Sequence, residues 1–426
     1  RVFHSKWLIS AVGCLSAANL PKIPGLHSFK GEWYHTGKWP HDDVDFSGLR
    51  VGQIGTGSTG IQVASEIAKS CKHFTVLQRT ANYSIPARNT VWDAEYTTWV
   101  KDHFEELKTL VRSTPNGHPF RISGNLTMEV SDKERNDMFE AAWAKGGLRF
   151  RGVFSDLLTS SKSNKVAAEF IKSKIRQKVK DPDNAEILTD IDHPYAAKRP
   201  PIDTNYFEIF NRENVSLVDL KADPIKEITP NGIRLKSGDL HPLDVIVFAT
   251  GFDAMTGPLL SLNIEGLGSS LKKYWAEGPL SYLGLTIPKF PNFFMITGPG
   301  SPSVLSNMPV SIEQHVDWIT DCIKFCIDHH IIRIEAEEHA TQSWTEHVRA
   351  TAEATLLTKV KHSWYLGANI PGKPQVFMPY AGGLVAYRKV CDAIAKESYK
   401  GFKFNQIEGE KLALDFGTPK LIELGV

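Results

Sequence analysis

Apolar and polar residues change their spacing several times along the chain, and each change predicts an element. Residues 6–13, KWLISAVG, are a short apolar run closed by a glycine, which predicts a buried strand. From Arg50 the text RVGQIGTGSTGIQVASEIAKSCKHFTVLQRT gives an apolar strand, a glycine loop, an amphipathic helix and a second strand, half of a nucleotide-binding βαβ unit. Between about 86 and 195 strand alternation yields to helix signals, among them a capping box at Ser131 and Glu134 and the amphipathic KVAAEFIKSKIRQKVK; this predicts a helical insertion. NVSLVDL, GIRLKS and DVIVFATG then resume the strand pattern, as though an interrupted sheet continued.

Beyond Gly251, FPNFFMITGPG predicts a strand that runs into a Gly-Pro turn. Ser311 and Gln314 read as a second capping box opening a helix. Val316, Ile319, Ile323 and Ile327 mark its buried stripe, with Cys322 and Cys326 turned to the core. LVAYRKVCDAIAKE predicts a further helix, and 406–426 read as a loosely attached tail. One stretch, FKGEWYHTGKWP at 29–40, has neither period and on its own reads as a connection plugged by aromatics.

Composition narrows the class of protein. The 426 residues are 42% hydrophobic and 23% charged, enough for two or three globular domains. Lys+Arg 49 against Asp+Glu 48 leaves +1, so no overall field recruits nucleic acid or an anionic membrane, and small-molecule partners are expected. Five scattered cysteines suit neither a disulfide framework nor a zinc site and fit a reducing, cytoplasmic setting; no metal is expected. No window reaches the ~18 apolar residues of a spanning helix. The opening RVFHSKWLISAVGCLSAAN is broken by Ser10, Gly13 and Ser16, and reads as a strand in preference to an export signal.

The chemistry concentrates in two places. Gly55-Thr56-Gly57-Ser58-Thr59-Gly60 fits Gly-x-Gly-x-x-Gly with a strand before it and a helix after it. Glycines there allow a tight turn and the close approach of a pyrophosphate, which then meets the free N–H groups of a helix N-terminus; the plainer alternative is a tight turn with no ligand. After the second strand, where an NAD site places an acidic residue, the chain has Arg79 with Thr80 beside it. A guanidinium suits a 2′-phosphate, so NADP(H) is predicted over NAD(H). Lys198 and Arg199, in AAKRPP, are either solvated loop charges or, stiffened by the prolines, a cradle for phosphate or oxyanion charge.

These residues also carry a resemblance. Phe29, Gly31, His35, Trp39 and Pro40 match the F-x-G-x-x-x-H-x-x-x-W-P fingerprint of Baeyer–Villiger monooxygenases. GTGSTG, LQRT, AKRP, FATGFDA, GPGSPSVLSNM and SWYLGANIPGKP follow in family order to about residue 405, most similar to the phenylacetone monooxygenase branch. The resemblance implies an α/β flavoprotein of two dinucleotide-binding, Rossmann-like domains. In it NADPH reduces FAD, O2 gives a C4a-peroxyflavin, and oxygen is inserted beside a ketone carbonyl to give an ester or lactone. It implies Arg199 as the catalytic arginine, Lys198 with Arg79 and Thr80 on the 2′-phosphate, and Thr56 through Ile61 and Gln62 on the pyrophosphate. Met308 would line the flavin and substrate pocket, and Trp364 would lie on a mobile loop that closes over NADP, unless it is a core tryptophan.

The domains expected are the end of an FAD-domain segment at 1–28, the fingerprint linker at 29–49, an NADP-binding domain at 50–250 and the C-terminal part of the FAD domain at 251–405. The family begins with a further βαβ unit whose own glycine loop binds FAD. No such motif lies upstream of Arg50, so the FAD domain is expected to be incomplete at its N-terminus. Two alternatives stay open: a flavin monooxygenase that oxidises nitrogen or sulfur, and a non-catalytic NADP-binding fragment. His35 is expected to anchor the linker in preference to serving as an acid or base.

Overall fold

In the computed structural model, which describes residues 1–406, the strands in chain order are β1 (Leu8–Ser10), β2 (Glu32–His35), β3 (Arg50–Ile54), β4 (His73–Gln78), β5 (Ile85–Pro86), β6 (Ile202–Asp203), β7 (Val215–Asp219), β8 (Ile225–Thr229), β9 (Gly232–Leu235), β10 (Leu240–Pro242), β11 (Val245–Phe248), β12 (Phe293–Met295), β13 (Ile331–Ala336) and β14 (Phe402–Gln406). Contacts divide the chain into two units. A sheet unit comprises 18–91 and 122–252; a helical unit comprises 1–17, 92–121 and the chain from 253.

The sheet unit is built on five parallel strands in the order β2-β11-β3-β4-β7. Its central strands are buried after their first residues because both faces are covered, and period-two alternation sorts their side chains. Val51, Phe74, Val76, Val245 and Val247 meet Phe139, Trp143, Phe150 and Phe154 on one face. Ile54, Leu77, Ile246 and Phe248 meet Ile228, Ile233 and Leu235 of the β8–β10 meander on the other. Helix α1 (Ser58–Ser70) joins β3 to β4 and buries Ile61, Ala64, Ile67 and Ala68. Of the strand text after the insertion, β7 and β11 rejoin this sheet, while GIRLKS forms β9 of the separate antiparallel meander. Ser131 Oγ accepts from the Glu134 N–H at the start of the Asp132–Lys145 helix, as its capping box predicts.

The fingerprint is more than a connection. Glu32–His35 is a strand, paired in parallel with Val245–Phe248 at the edge of the sheet. Its alternation is hidden in the sequence because an edge strand leaves Glu32 and Trp33 exposed beside the buried His35. A Cβ on Gly31 would stand 2.1 Å from the Asp244 carbonyl oxygen, and one on Gly37 2.5 Å from the Phe252 ring. Trp39 packs on Tyr34 and Phe46.

The helical unit departs from expectation in four ways. First, 92–121 belongs here and not with the rest of the predicted insertion. Asn116 Nδ2 donates to Leu305 O (2.7 Å), Asn307 N to Asn116 O (2.8 Å) and Leu384 N to Pro115 O (2.6 Å). Second, the helix expected to open at Ser311 starts at Met308, where Pro309 lies in the first turn; Ser311 and Gln314 are buried inside it. Third, its buried face runs through His315, Trp318, Ile319, Cys322 and Cys326, so the thiols do face the core, but Val316 and Ile327 are 45% and 57% exposed. Fourth, β1 is three residues long and, among the described residues, pairs only with β12, and Leu8 and Ile9 are 56% and 47% exposed, not buried.

The core of this unit is Trp318, Trp344, Tyr380, Tyr387 and Phe402 with their neighbours. All five cysteines are buried thiols. The expected tail lies outside the described residues apart from Gln406. Among the described residues no helix is long and apolar enough to cross a membrane.

Candidate cofactor and catalytic site

The glycine loop follows β3 directly. Gly55 has φ +105, and a Cβ there would lie 2.5 Å from the Ala249 carbonyl oxygen, so only glycine serves. A Cβ on Gly60 would meet Gly55 O at 2.3 Å, which fixes how closely α1 approaches the loop. Around Gly57 there is open space within 4 Å. Gln53 Nε2 braces the turn by donating to Gly55 O and Gly60 O, both at 3.0 Å. Ser58 is exposed and Thr59 half-buried at the start of α1. An anion over Gly57 would therefore meet the helix N-terminus. Ile61 faces the core and its N–H already donates to Gly57 O (2.9 Å), while Gln62 Nε2 approaches Ile202 O at 3.5 Å.

Two further loops flank this turn. Thr56 Oγ1 donates to Thr80 O (3.0 Å), tying the glycine loop to the exposed Arg79 at the end of β4. The Lys198–Arg199 loop is fastened alongside: Ser84 Oγ donates to Pro201 O (3.2 Å) and Asp203 Oδ2 (2.6 Å), and β5 pairs with β6. Ala196 has φ +60, a conformation that costs a non-glycine residue about 1 kcal/mol and here aims the residues after it. Lys198 is half-buried. Burial lowers its pKa, the Asp192 carboxylate works against that, and the Arg79 charge adds to it. Among the described residues neither Arg79 nor Lys198 makes an ion pair with a carboxylate, and Asp192 offsets the Lys198 charge only in part. Arg199 is exposed, between half-buried Lys198 and buried Pro200.

Met308 and Trp364 lie in the helical unit, partly buried on one apolar cluster with Leu305, Tyr365 and Met378. Trp364 opens a short 3-10 turn after Ser363, ended by Gly367 at φ +70. Its loop is held from behind, because Lys373 pairs with Asp253 and donates to Ala254 O (3.0 Å). Sequence spacing did not mark that pair, nor Asp192, His193 and Asn82 between the two loops of the sheet unit. His35 is buried, and its Nδ1 accepts from the Gly37 N–H (3.0 Å). Burial lowers its pKa, opposed by the backbone of Asn19 and Gly251. It thus locks the end of β2.

Residues 2–115 match a family described as flavin-binding monooxygenase-like. The cyclohexanone 1,2-monooxygenase of Acinetobacter sp is 44% identical over 403 residues, which cover 94% of this chain and 73% of that protein. The Baeyer–Villiger monooxygenase of Pseudooceanicola batsensis is 44% identical over 398 residues, 93% of this chain and 72% of that one. A solved structure of oxidized steroid monooxygenase bound to NADP is 46% identical and superposes with a TM-score of 0.88 over 94% of this chain and 75% of its own. These names do not single out the phenylacetone branch. At such identity and coverage, the chain belongs to the Baeyer–Villiger monooxygenases.

Proposed function

We propose that Arg199 is the catalytic cation of an NADPH- and FAD-dependent oxygenation, and that Arg79, Thr80 and Lys198 read the coenzyme's 2′-phosphate. The reaction inserts one oxygen atom of O2 beside a ketone carbonyl and yields an ester or lactone. FAD, when bound, supplies the activation of O2, and the protein's task is to hold, orient and shield. One observation carries the reading: the Lys198–Arg199 loop is locked by Ala196 and by the Ser84 and β5–β6 contacts, in the same unit as the glycine loop and Arg79.

The sheet unit suits NADP(H). The open space at Gly57 and the exposed Ser58 at the start of α1 would take the pyrophosphate, and the Arg79 and Lys198 cations would take the 2′-phosphate. The Arg199 guanidinium would stabilise negative charge as it develops on the substrate oxygen. For the flavin ring, the Met308 thioether offers polarizable apolar surface. A cytoplasmic location fits five buried thiols.

The test is Arg199→Ala in the flavin-loaded protein. Ester formation from a ketone should fall by about a hundredfold or more while NADP+ binding is kept. Full ester formation by that variant, or oxygenation of an amine or sulfide but of no ketone by the unaltered protein, overturns the reading.

A further inference from the structure

His193 precedes Lys198 on its loop, and its side chain is 1% exposed. Nδ1 lies 3.2 Å from Asp192 Oδ1, and Nε2 lies 3.2 Å from Asn82 Oδ1. Two oxygens facing both ring nitrogens would suit an imidazolium. Burial forbids it, helped by the Lys198 charge, and holds the pKa down to about 4. The neutral ring has a single N–H. On Nδ1 that hydrogen donates to the Asp192 carboxylate, whereas a bare Nδ1 would set a lone pair against the negative oxygen. Nε2 is then the acceptor, and Asn82 satisfies it by turning its amide N–H inward.

Asn82 follows Arg79 and Thr80 on the neighbouring loop, so this chain of hydrogen bonds spans the two loops that carry the phosphate cations. Tyr83 doubles the link: its Oη donates to His193 O (3.0 Å) and its ring packs edge-on to the imidazole at 5.5 Å. At the far end the Asp192 carboxylate, held by His193, lies close enough to Lys198 for each to shift the other's pKa.

We propose that His193 is a positioning residue for recognition of the coenzyme's 2′-phosphate: by bridging Asn82 and Asp192 it sets the spacing between Arg79–Thr80 and Lys198. The inference rests on the reading that these cations take that phosphate. A phosphate shared by two cations accepts from both only when their separation matches its own oxygens, so a fixed spacing is worth selectivity as well as affinity.

Calorimetric titration of the chain with 2′,5′-ADP and with 5′-AMP isolates the effect, since the two probes differ only in the 2′-phosphate. In His193→Ala, affinity for 2′,5′-ADP should fall about tenfold, one hydrogen bond's worth, with 5′-AMP affinity held within about twofold; His193→Gln, whose amide can still meet Asn82, should recover most of the loss. An unchanged preference, or equal losses for both nucleotides, overturns the proposal.

If His193→Ala does not fold, Asp192→Ala decides. Deleting a carboxylate near a phosphate subsite should tighten 2′,5′-ADP by charge alone, whereas the positioning role requires weaker binding, so tightening overturns it. Arg79→Ala and Lys198→Ala separate the two levels. If neither lowers the preference for 2′,5′-ADP, the phosphate reading itself has failed. If they lower it and the His193 variants do not, only the positioning role has.

Discussion

The two units carry candidate site residues on different kinds of support. In the sheet unit, β11, β3 and β4 each have a neighbour on both sides; the glycine loop follows β3, Arg79 follows β4, and the Lys198–Arg199 loop runs into β6, the three braced by Gln53, Thr56 and Ser84. Among the described residues of the helical unit the strands come in pairs, β1 with β12 and β13 with β14, and Met308 and Trp364 rest on a side-chain cluster backed by an ion pair. The first arrangement fixes a ligand through backbone geometry, which tolerates almost no added atom. The second relies on packing, which can slide.

The strongest way to break that contrast is in the two cores. Phe150→Ala in the sheet unit and Trp344→Ala in the helical unit should each cost about 3–5 kcal/mol, read from denaturant midpoints. Trp344 also loses its Nε1–H donation to Gly300 O (3.1 Å), so it should be the more damaging of the two; the reverse order would contradict the contacts described. Next in size is the glycine loop. Gly60→Ala drives a Cβ to within 2.3 Å of backbone and should cost about 1–3 kcal/mol. Gly57→Ala meets only open space, so its melting temperature should hold while NADP+ affinity falls.

Acid should weaken both units, most strongly through one histidine in each. His193 has its pKa lowered to about 4 and His315 to about 3, both chiefly by burial. A histidine whose folded pKa lies below its unfolded value binds its proton more readily when unfolded. Stability is therefore full above about pH 6.5 and declines as pH falls toward 4 and 3 respectively, by no more than about 2 kcal/mol apiece at pH 5. His193→Gln should flatten part of that slope in chemical denaturation at pH 5 against pH 7.5, and an unaltered slope would show that the ring is not held neutral. The smallest effect belongs to the exposed edge. Ile9→Lys should change stability by less than about 0.5 kcal/mol in chemical denaturation, as its 47% exposure implies.

What could be read from the sequence follows the same division. The β3–α1–β4 segment was legible because its periods change at glycines whose roles are local, and Arg79 because its place after a strand end is a rule of the fold. The assignment of 92–121 was not, since helix signals say that a helix forms and nothing about which core it joins; hydrogen bonds to Leu305, Asn307 and Leu384 decide that. On Met308–Asp328 the periodicity places Ile319, Cys322 and Cys326 correctly on the inner face, but it does not exclude Val316 and Ile327, which are exposed, or show that His315 and Trp318 complete the buried side. His193 escaped notice for a related reason: its partner Asn82 is 111 residues away in sequence, and no spacing rule joins them.

The parallel pairing of β2 with β11 has a consequence for how the chain is made. Arg50 binds Asp244 through two side-chain hydrogen bonds, at 2.6 and 3.0 Å, across 194 residues of sequence, and β2 lies still earlier. At ordinary ribosomal speeds, roughly 10–40 s pass between the emergence of the two partners. During that interval the Glu32–His35 segment has no strand to join and no Asp244 carbonyl to press against Gly31. The fingerprint of the family is thus among the first parts of the sheet unit to leave the ribosome and among the last to be seated.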